Sequence, residues 1–251
     1  MSPAPDDHDL SASLPPPPAV PAQTPGEPGD ARPGAWGPVR TFAALAIFLV
    51  ILTFEAGIVS AFDNDISSLG AKLSLQAVLA TTLIVVAFVA ASPEGGLADP
   101  AALGWRRPLR PALGATGLAY LIYVGCAIVL TALIQPEQED VTRELGFNEG
   151  VFGAIAAGFL IIVAAPLSEE IFFRGFLFGG IRSKAPFAIA AVVSASIWGL
   201  FHYTGPDSWG VCLQLAIFGV ILAWLYERTG SIWPTIALHV FNNALAVALT
   251  T

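Results

Sequence analysis

From Thr41 onward the chain alternates apolar runs with short polar breaks, and the runs approach the roughly 20 residues that a helix needs to cross a bilayer core. Seven such runs stand at 41–62, 71–92, 111–134, 150–179, 187–204, 209–226 and 232–250. The fourth is longer than a bilayer needs, which a tilt or an extension past the interface accommodates. Charged residues make up 12% of the chain, about half the share of a soluble domain, and mean hydropathy is +0.70. The reading is all-α: a polytopic transmembrane helical bundle of about seven spans, occupying 39–251.

The first 38 residues differ in kind. The stretch SLPPPPAVPAQTPGEPGDARPGAWGP is proline-rich, interrupted by glycine and nearly free of large aliphatics. It cannot bury enough apolar area to offset its ordering entropy, so 1–38 reads as a disordered tail. Its acidic start (Asp6, Asp7, Asp9), with no apolar stretch close behind, is unlike a secretory signal peptide. The net charge of −8 comes from scattered acids with no basic stripe, which argues against nucleic acid as a partner. Cys126 and Cys212 lie in apolar runs without metal-ligand spacing and read as small buried hydrophobes.

The polar breaks carry a sign pattern. Arg32 and Arg40 precede the first span, Arg106, Arg107 and Arg110 separate the second from the third, and Arg182 and Lys184 follow the fourth. The breaks between are acidic: DNDISS after the first span and PEQEDVTRELGFNEG after the third. Basic loops stay cytoplasmic. The expected topology therefore has its N-terminus in the cytoplasm and, with seven spans, its C-terminus outside. The abundance of alanine, glycine and proline fits a high-GC bacterial source, and hence the bacterial cytoplasmic membrane.

Three polar islands interrupt the last four spans. PLSEEIFFRGFLFGG holds Glu169, Glu170 and Arg174; SIWGLFHYTG holds Trp198 and His202; SIWPTIALHVFNNAL holds His239 and Asn243. An ionisable group in lipid is expensive unless it faces protein or water, so each is a functional-site candidate. At about 1.5 Å rise per residue, Glu169 lies about 20 Å from Arg182, and His202 about 24 Å from Pro186. Counted from Ser231, His239 and Asn243 come out about 12 and 18 Å deep. The islands can meet near mid-membrane.

Spacing assigns roles within each island. Glu170 and Arg174 are four apart, stack on one helix face and neutralise one another as a buried ion pair. Glu169 sits about 100° around the helix, has no local cation and is free to face a cavity as a general base. His239 and Asn243, also four apart, present two neutral donors suited to the oxygen of a tetrahedral intermediate. Trp198, four before His202, can fix that ring by packing. Taken singly, each has a structural reading too. Asn242 reads as interhelical glue, and Glu55 in the first span as a structural or gating carboxylate. The set of a free glutamate, two histidines and an asparagine is what points to chemistry.

At these residues the sequence resembles the CPBP family of intramembrane proteases, which includes the CAAX prenyl endopeptidases and bacterial immunity-type relatives. The family pattern E-E-x-x-x-R stands here as Glu169, Glu170 and Arg174. Its F-x-x-x-H stands as Trp198 and His202, with tryptophan where the family usually has phenylalanine, and its H-x-x-x-N as His239 and Asn243. The resemblance covers about 151–249. It implies an intramembrane endopeptidase acting on a membrane-associated protein or peptide, in which Glu169 and His202 activate a water. It likewise implies that His239 and Asn243 stabilise the oxyanion while Glu170 and Arg174 support the site.

One glutamate and two histidines (Glu169, His202, His239) could also make a three-ligand zinc site with an open fourth position. There is no H-E-x-x-H, and the ligands come from three different spans, so a site without metal or cofactor is the favoured reading. Two other functions use the same residues. A proton-coupled transporter would use the Glu and His as a relay, but a relay has no need of Asn243, and no duplication of the apolar segments is found. A non-catalytic immunity or scaffolding protein of the same fold would tolerate loss of Glu169, against which the intact motif set argues.

Overall fold

The computed structural model describes residues 34–62, 68–92, 95–108, 112–135, 147 and 149–250. All regular secondary structure among them is helical. In chain order the helices are α1 (Gly37–Phe62), α2 (Leu69–Ala91), α3 (Ala112–Ile134), α4 (Gly150–Arg182), α5 (Phe187–Leu200), α6 (Trp209–Thr229) and α7 (Trp233–Thr250). Short 3-10 turns stand at Pro100–Leu103 and Pro206–Ser208. Each expected apolar run is matched by one helix. Five stretches, those of α1, α2, α3, α4 and α6, are long and apolar enough to cross a membrane; α5 and α7 are shorter.

Local chemistry sets the ends. Ser68 caps α2 by accepting from the Ala71 amide at 3.1 Å. Gly230 ends α6 in the left-handed conformation at φ 63°, which costs glycine nothing. The fifth helix stops at Leu200, four residues before the expected 204. There the His202 and Tyr203 amides bond the Gly199 and Leu200 carbonyls, both at 3.1 Å, tightening the chain into a 3-10-type turn. Pro206, with no N–H, then prevents the helix from resuming in register.

The ordered body reaches further toward the N-terminus than composition suggests. Gly34 to Trp36 form a turn and α1 starts at Gly37, inside the stretch expected to be tail. Trp36 is the reason: its indole is buried, stacks on Phe176 at 5.5 Å and donates to the Phe176 carbonyl at 3.3 Å. Residues 1–33, including His8, and the acidic breaks at 63–67 and 136–146 lie outside the described residues.

Helix α4 runs through the centre, and every residue from Glu170 to Ile181 is buried. Aliphatic side chains on the outer helices, such as Ile47, Val50, Leu121 and Ile128, face outward. With lipid outside, helices gain little from hiding apolar surface from one another, so close approach of small residues has to hold them. Helices α5 and α6 meet in this way. A Cβ on Gly199 would lie 2.5 Å from the Cys212 carbonyl oxygen, and one on Gly219 would lie 2.8 Å from Ala195 Cβ. Cys212 is a small buried packing residue, and both cysteines are free thiols.

The connections are tied together at one end of the bundle. Ser231 Oγ donates to the Arg106 carbonyl at 2.6 Å, and the Ile232 amide donates to Gly104 at 2.9 Å. Arg182 bonds Glu227 at 2.8 Å, joining the ends of α4 and α6. The basic breaks around Arg106, Arg107, Arg182 and Lys184 thus share this end, along with the α6–α7 connection, whose two charges balance. Within the bundle, Thr82 Oγ1 of α2 donates to Glu55 of α1, giving that lone carboxylate a partner on the neighbouring helix.

Gly199→Val is expected to destabilise the protein by about 1–3 kcal/mol, the usual cost of overpacking. Unfolding in detergent followed by circular dichroism measures it, with the exposed Gly117→Ala as a neutral control.

Candidate active site

The site begins with a missing hydrogen. Pro166 interrupts α4, and the turns before and after it widen into π-helix at Leu160–Ala164 and Glu170–Phe178. The Ala165 amide bonds the Leu160 carbonyl, five residues back. The next donor in that register would be the amide of Pro166, which has none. The carbonyl of Ile161 is therefore left without its helical donor, and Asn243 Nδ2 of α7 donates to it at 3.0 Å. An orphaned backbone acceptor at this depth has no water to turn to, so the proline on α4 selects an amide on α7.

Glu170 is fully buried, and its Oε1 takes two donors. Arg174 NH1 reaches it at 2.8 Å from the next turn, and His239 Nδ1 at 2.9 Å from α7. The expected Glu170–Arg174 pair is present and is shared with a histidine that no spacing rule associates with it. The guanidinium lies 4.4 Å from the centre of the Trp198 ring, so α5 covers the cation with an aromatic face. His239 is caged edge-on by Trp198 at 5.4 Å and Phe218 at 5.7 Å.

Trp198 also reaches the other glutamate. Its Nε1–H donates to Glu169 Oε2 at 2.6 Å. The Trp198 carbonyl lies 3.0 Å from His202 Nδ1, which donates to it, and the two rings meet edge-on at 5.4 Å. One indole thus touches Glu169, Arg174, His202 and His239. Glu169 and His202 remain half-buried, while Glu170, Arg174, Trp198 and His239 are sealed.

The three islands do meet, brought together by α4, α5 and α7. Two geometric details differ from what spacing alone suggests. His239 Nδ1 is committed to a carboxylate, so the neutral ring presents a lone pair at Nε2, and it donates there only as the imidazolium. One hydrogen of the Asn243 amide is committed to Ile161. Trp198 does more than pack, since its N–H holds Glu169. The available signal for the Asn243 contact was Pro166 within the span; the Trp198 and Glu170 contacts left no mark on sequence spacing. As to metal, no group of three or more His, Cys, Asp or Glu among the described residues is arranged to hold an ion.

Fold and site together define an integral membrane protein with a polar cluster enclosed by its helices. Residues 151–245 match the family described as Rce1-like, type II CAAX prenyl endopeptidase. "Putative membrane peptidase YdiL" of Bacillus subtilis (strain 168) is 32% identical over 113 residues, 43% of this chain and 45% of that protein. "Uncharacterized protein YyaK" of the same strain is 26% identical over 169 residues, covering 64% of this chain and 53% of that protein. "UPF0177 protein YxdF" of Lactococcus lactis subsp. lactis (strain IL1403) is 28% identical over 115 residues, covering 44% and 62%. The chain spans about half the length of the curated relatives it matches. No solved structure matches it. The matched stretch 151–245 contains every residue of the cluster, and over it the chain is similar to a family of membrane proteases.

Breaking a buried ion pair from one side leaves an uncompensated charge, so Glu170→Leu or Arg174→Leu is expected to cost about 3–5 kcal/mol each. The double variant should cost clearly less than the sum, because it removes both charges. A double-mutant cycle of denaturant unfolding in detergent reads the coupling.

Proposed function

We propose that the chain is an intramembrane endopeptidase that hydrolyses a peptide bond of a membrane-associated protein or peptide, with Glu169 and His202 activating the attacking water. The observation that carries the reading is the meeting of Glu169, His202 and His239, from three helices, against one buried indole. The family description and the printed name of YdiL, both of peptidases, support the same class.

In this mechanism a water gives its two hydrogens to Glu169 Oε1 and His202 Nε2, which turns an oxygen lone pair toward the scissile carbonyl. Glu169 takes one proton as the new oxygen–carbon bond forms, and the carbonyl π electrons move onto oxygen. That oxyanion is met by the second amide hydrogen of Asn243 and by Nε2–H of a protonated His239; of the two cations Arg174 and His239, Glu170 balances one and the oxyanion the other. As the intermediate collapses, the carbon–nitrogen bond breaks and Glu169 returns its proton to the leaving nitrogen. One water is consumed, and an acid and an amine leave. No metal ion takes part. We place the basic end of the bundle at the cytoplasmic face, which puts the N-terminus inside and the C-terminus outside.

Glu169→Gln is expected to lower the rate of cleavage by about 10²–10⁴-fold, the usual contribution of a general base. The experiment compares peptide termini across the membrane proteome of cells carrying wild type or Glu169→Gln at matched expression. Termini present with wild type alone establish proteolysis and name its substrates. Identical sets under several growth conditions would sink the reading.

A further inference from the structure

We propose that Trp198 is a positioning residue that sets both proton acceptors of the site, holding Glu169 with its indole N–H and His202 with its main-chain carbonyl. The inference rests on the reading of Glu169 and His202 as the water-activating pair. Each acceptor has two atoms that a water could engage, and in each case Trp198 occupies one of them. Nε1–H donates to Glu169 Oε2 at 2.6 Å, which leaves Oε1 as the oxygen for the water. A hydrogen bond with a carboxylate is about twice as strong as one between neutral groups, so the side chain is held in one rotamer. The carbonyl accepts from His202 Nδ1 at 3.0 Å. A proton at Nδ1 puts the lone pair of the neutral ring at Nε2, the second atom for the water.

The holder is itself held. Trp198 is 1% exposed and has the Arg174 guanidinium 4.4 Å from its ring centre. His202 and His239 meet it edge-on, both at 5.4 Å. Arg174 in turn is fixed by Glu170 at 2.8 Å. A phenylalanine at this position would keep an aromatic face for Arg174 and the two imidazoles but has no donor. Glu169 Oε2 would lose its partner and the carboxylate would be free to turn. The carbonyl contact to His202 would persist, so the two halves of the role can be separated.

The test uses the full chain in native membranes with three forms at position 198: wild type, Trp198→Phe, and Trp198→3-benzothienylalanine, an isostere with sulfur in place of N–H. The hydrophobic carbodiimide DCCD modifies carboxyl groups inside membranes, and mass spectrometry locates the adduct without any substrate. Modification of Glu169 should rise several-fold in both variants, while sealed Glu170 stays unmodified. The initial rate at which wild-type-specific termini appear should fall about 10-fold or more, the kinetic equivalent of one hydrogen bond to a charged group. An isostere with wild-type modification and wild-type rate would overturn the proposal, since shape would then suffice. Should wild type and Glu169→Gln give identical termini, the proteolytic reading fails, and the DCCD arm still decides whether the indole N–H holds Glu169.

Discussion

The constraint on which the rest of the structure depends is a single carboxylate oxygen sealed inside a lipid-facing bundle. Glu170 Oε1 accepts from Arg174 at 2.8 Å and from His239 at 2.9 Å, and the side chain of Glu170 is inaccessible. Two charges at such depth are tolerable only when they neutralise one another with good geometry and their surroundings supply further polar or aromatic contact. The surroundings supply aromatic contact, while Glu170 Oε2 and Arg174 NH2 are buried without a hydrogen-bond partner among the described residues. Trp198 covers the guanidinium, and Phe218 and Trp198 enclose the imidazole. The His239–Glu170 contact joins α4 to α7, and Trp198 joins both to α5.

A second dependence runs through the backbone. Pro166 removes a donor from α4, the helix widens on both sides, and Asn243 satisfies the carbonyl left over. Widened turns change which residues share a face, and from Glu170 to Phe178 the chain is buried all round rather than on one stripe. A regular α-helix could have offered Glu170 and Arg174 to one neighbour. This one stands at the centre, with α2, α5 and α6 against it, and can bury both charged groups along with the phenylalanines between them.

The apolar runs made the helices legible because length in a bilayer is a strong physical demand, and seven of the eight starts and ends of α4 to α7 fall within about three residues of expectation, the early stop of α5 being the exception. That stop was hidden because it depends on amides turning to carbonyls three residues back, which composition does not record. Trp36 was hidden because a single aromatic at the end of a proline-rich stretch carries no periodicity, yet its indole stacks on Phe176 and donates to the Phe176 carbonyl. Of the site, the Glu170–Arg174 pair was legible from a spacing of four, whereas depth only allowed the islands to meet. What spacing could not supply were contacts across helices: His239 on Glu170, Asn243 on Ile161 and the Trp198 indole on Glu169. Periodicity describes one helix at a time, whereas these depend on how helices are rotated against each other.

Exposure divides the cluster in a way that matters for chemistry. Glu169 and His202 are half-buried, and His202 sits just past the end of α5, where the chain has left the helix. Glu170, Arg174, Trp198 and His239 are sealed. A water-activating pair needs solvent to reach it, and a group that fixes geometry is best kept from solvent, because water competes for its hydrogen bonds and screens its charges. Under the proposed mechanism, the two residues that must meet water are the two that can, and each is held by a residue that cannot. The same division accounts for the short fifth helix. Had α5 continued to 204, the His202 amide would have stayed in the α-helical ladder and its ring within the packed length of the bundle. By stopping at Leu200, the chain releases His202 toward the accessible side while its Nδ1 stays bonded to the last buried turn.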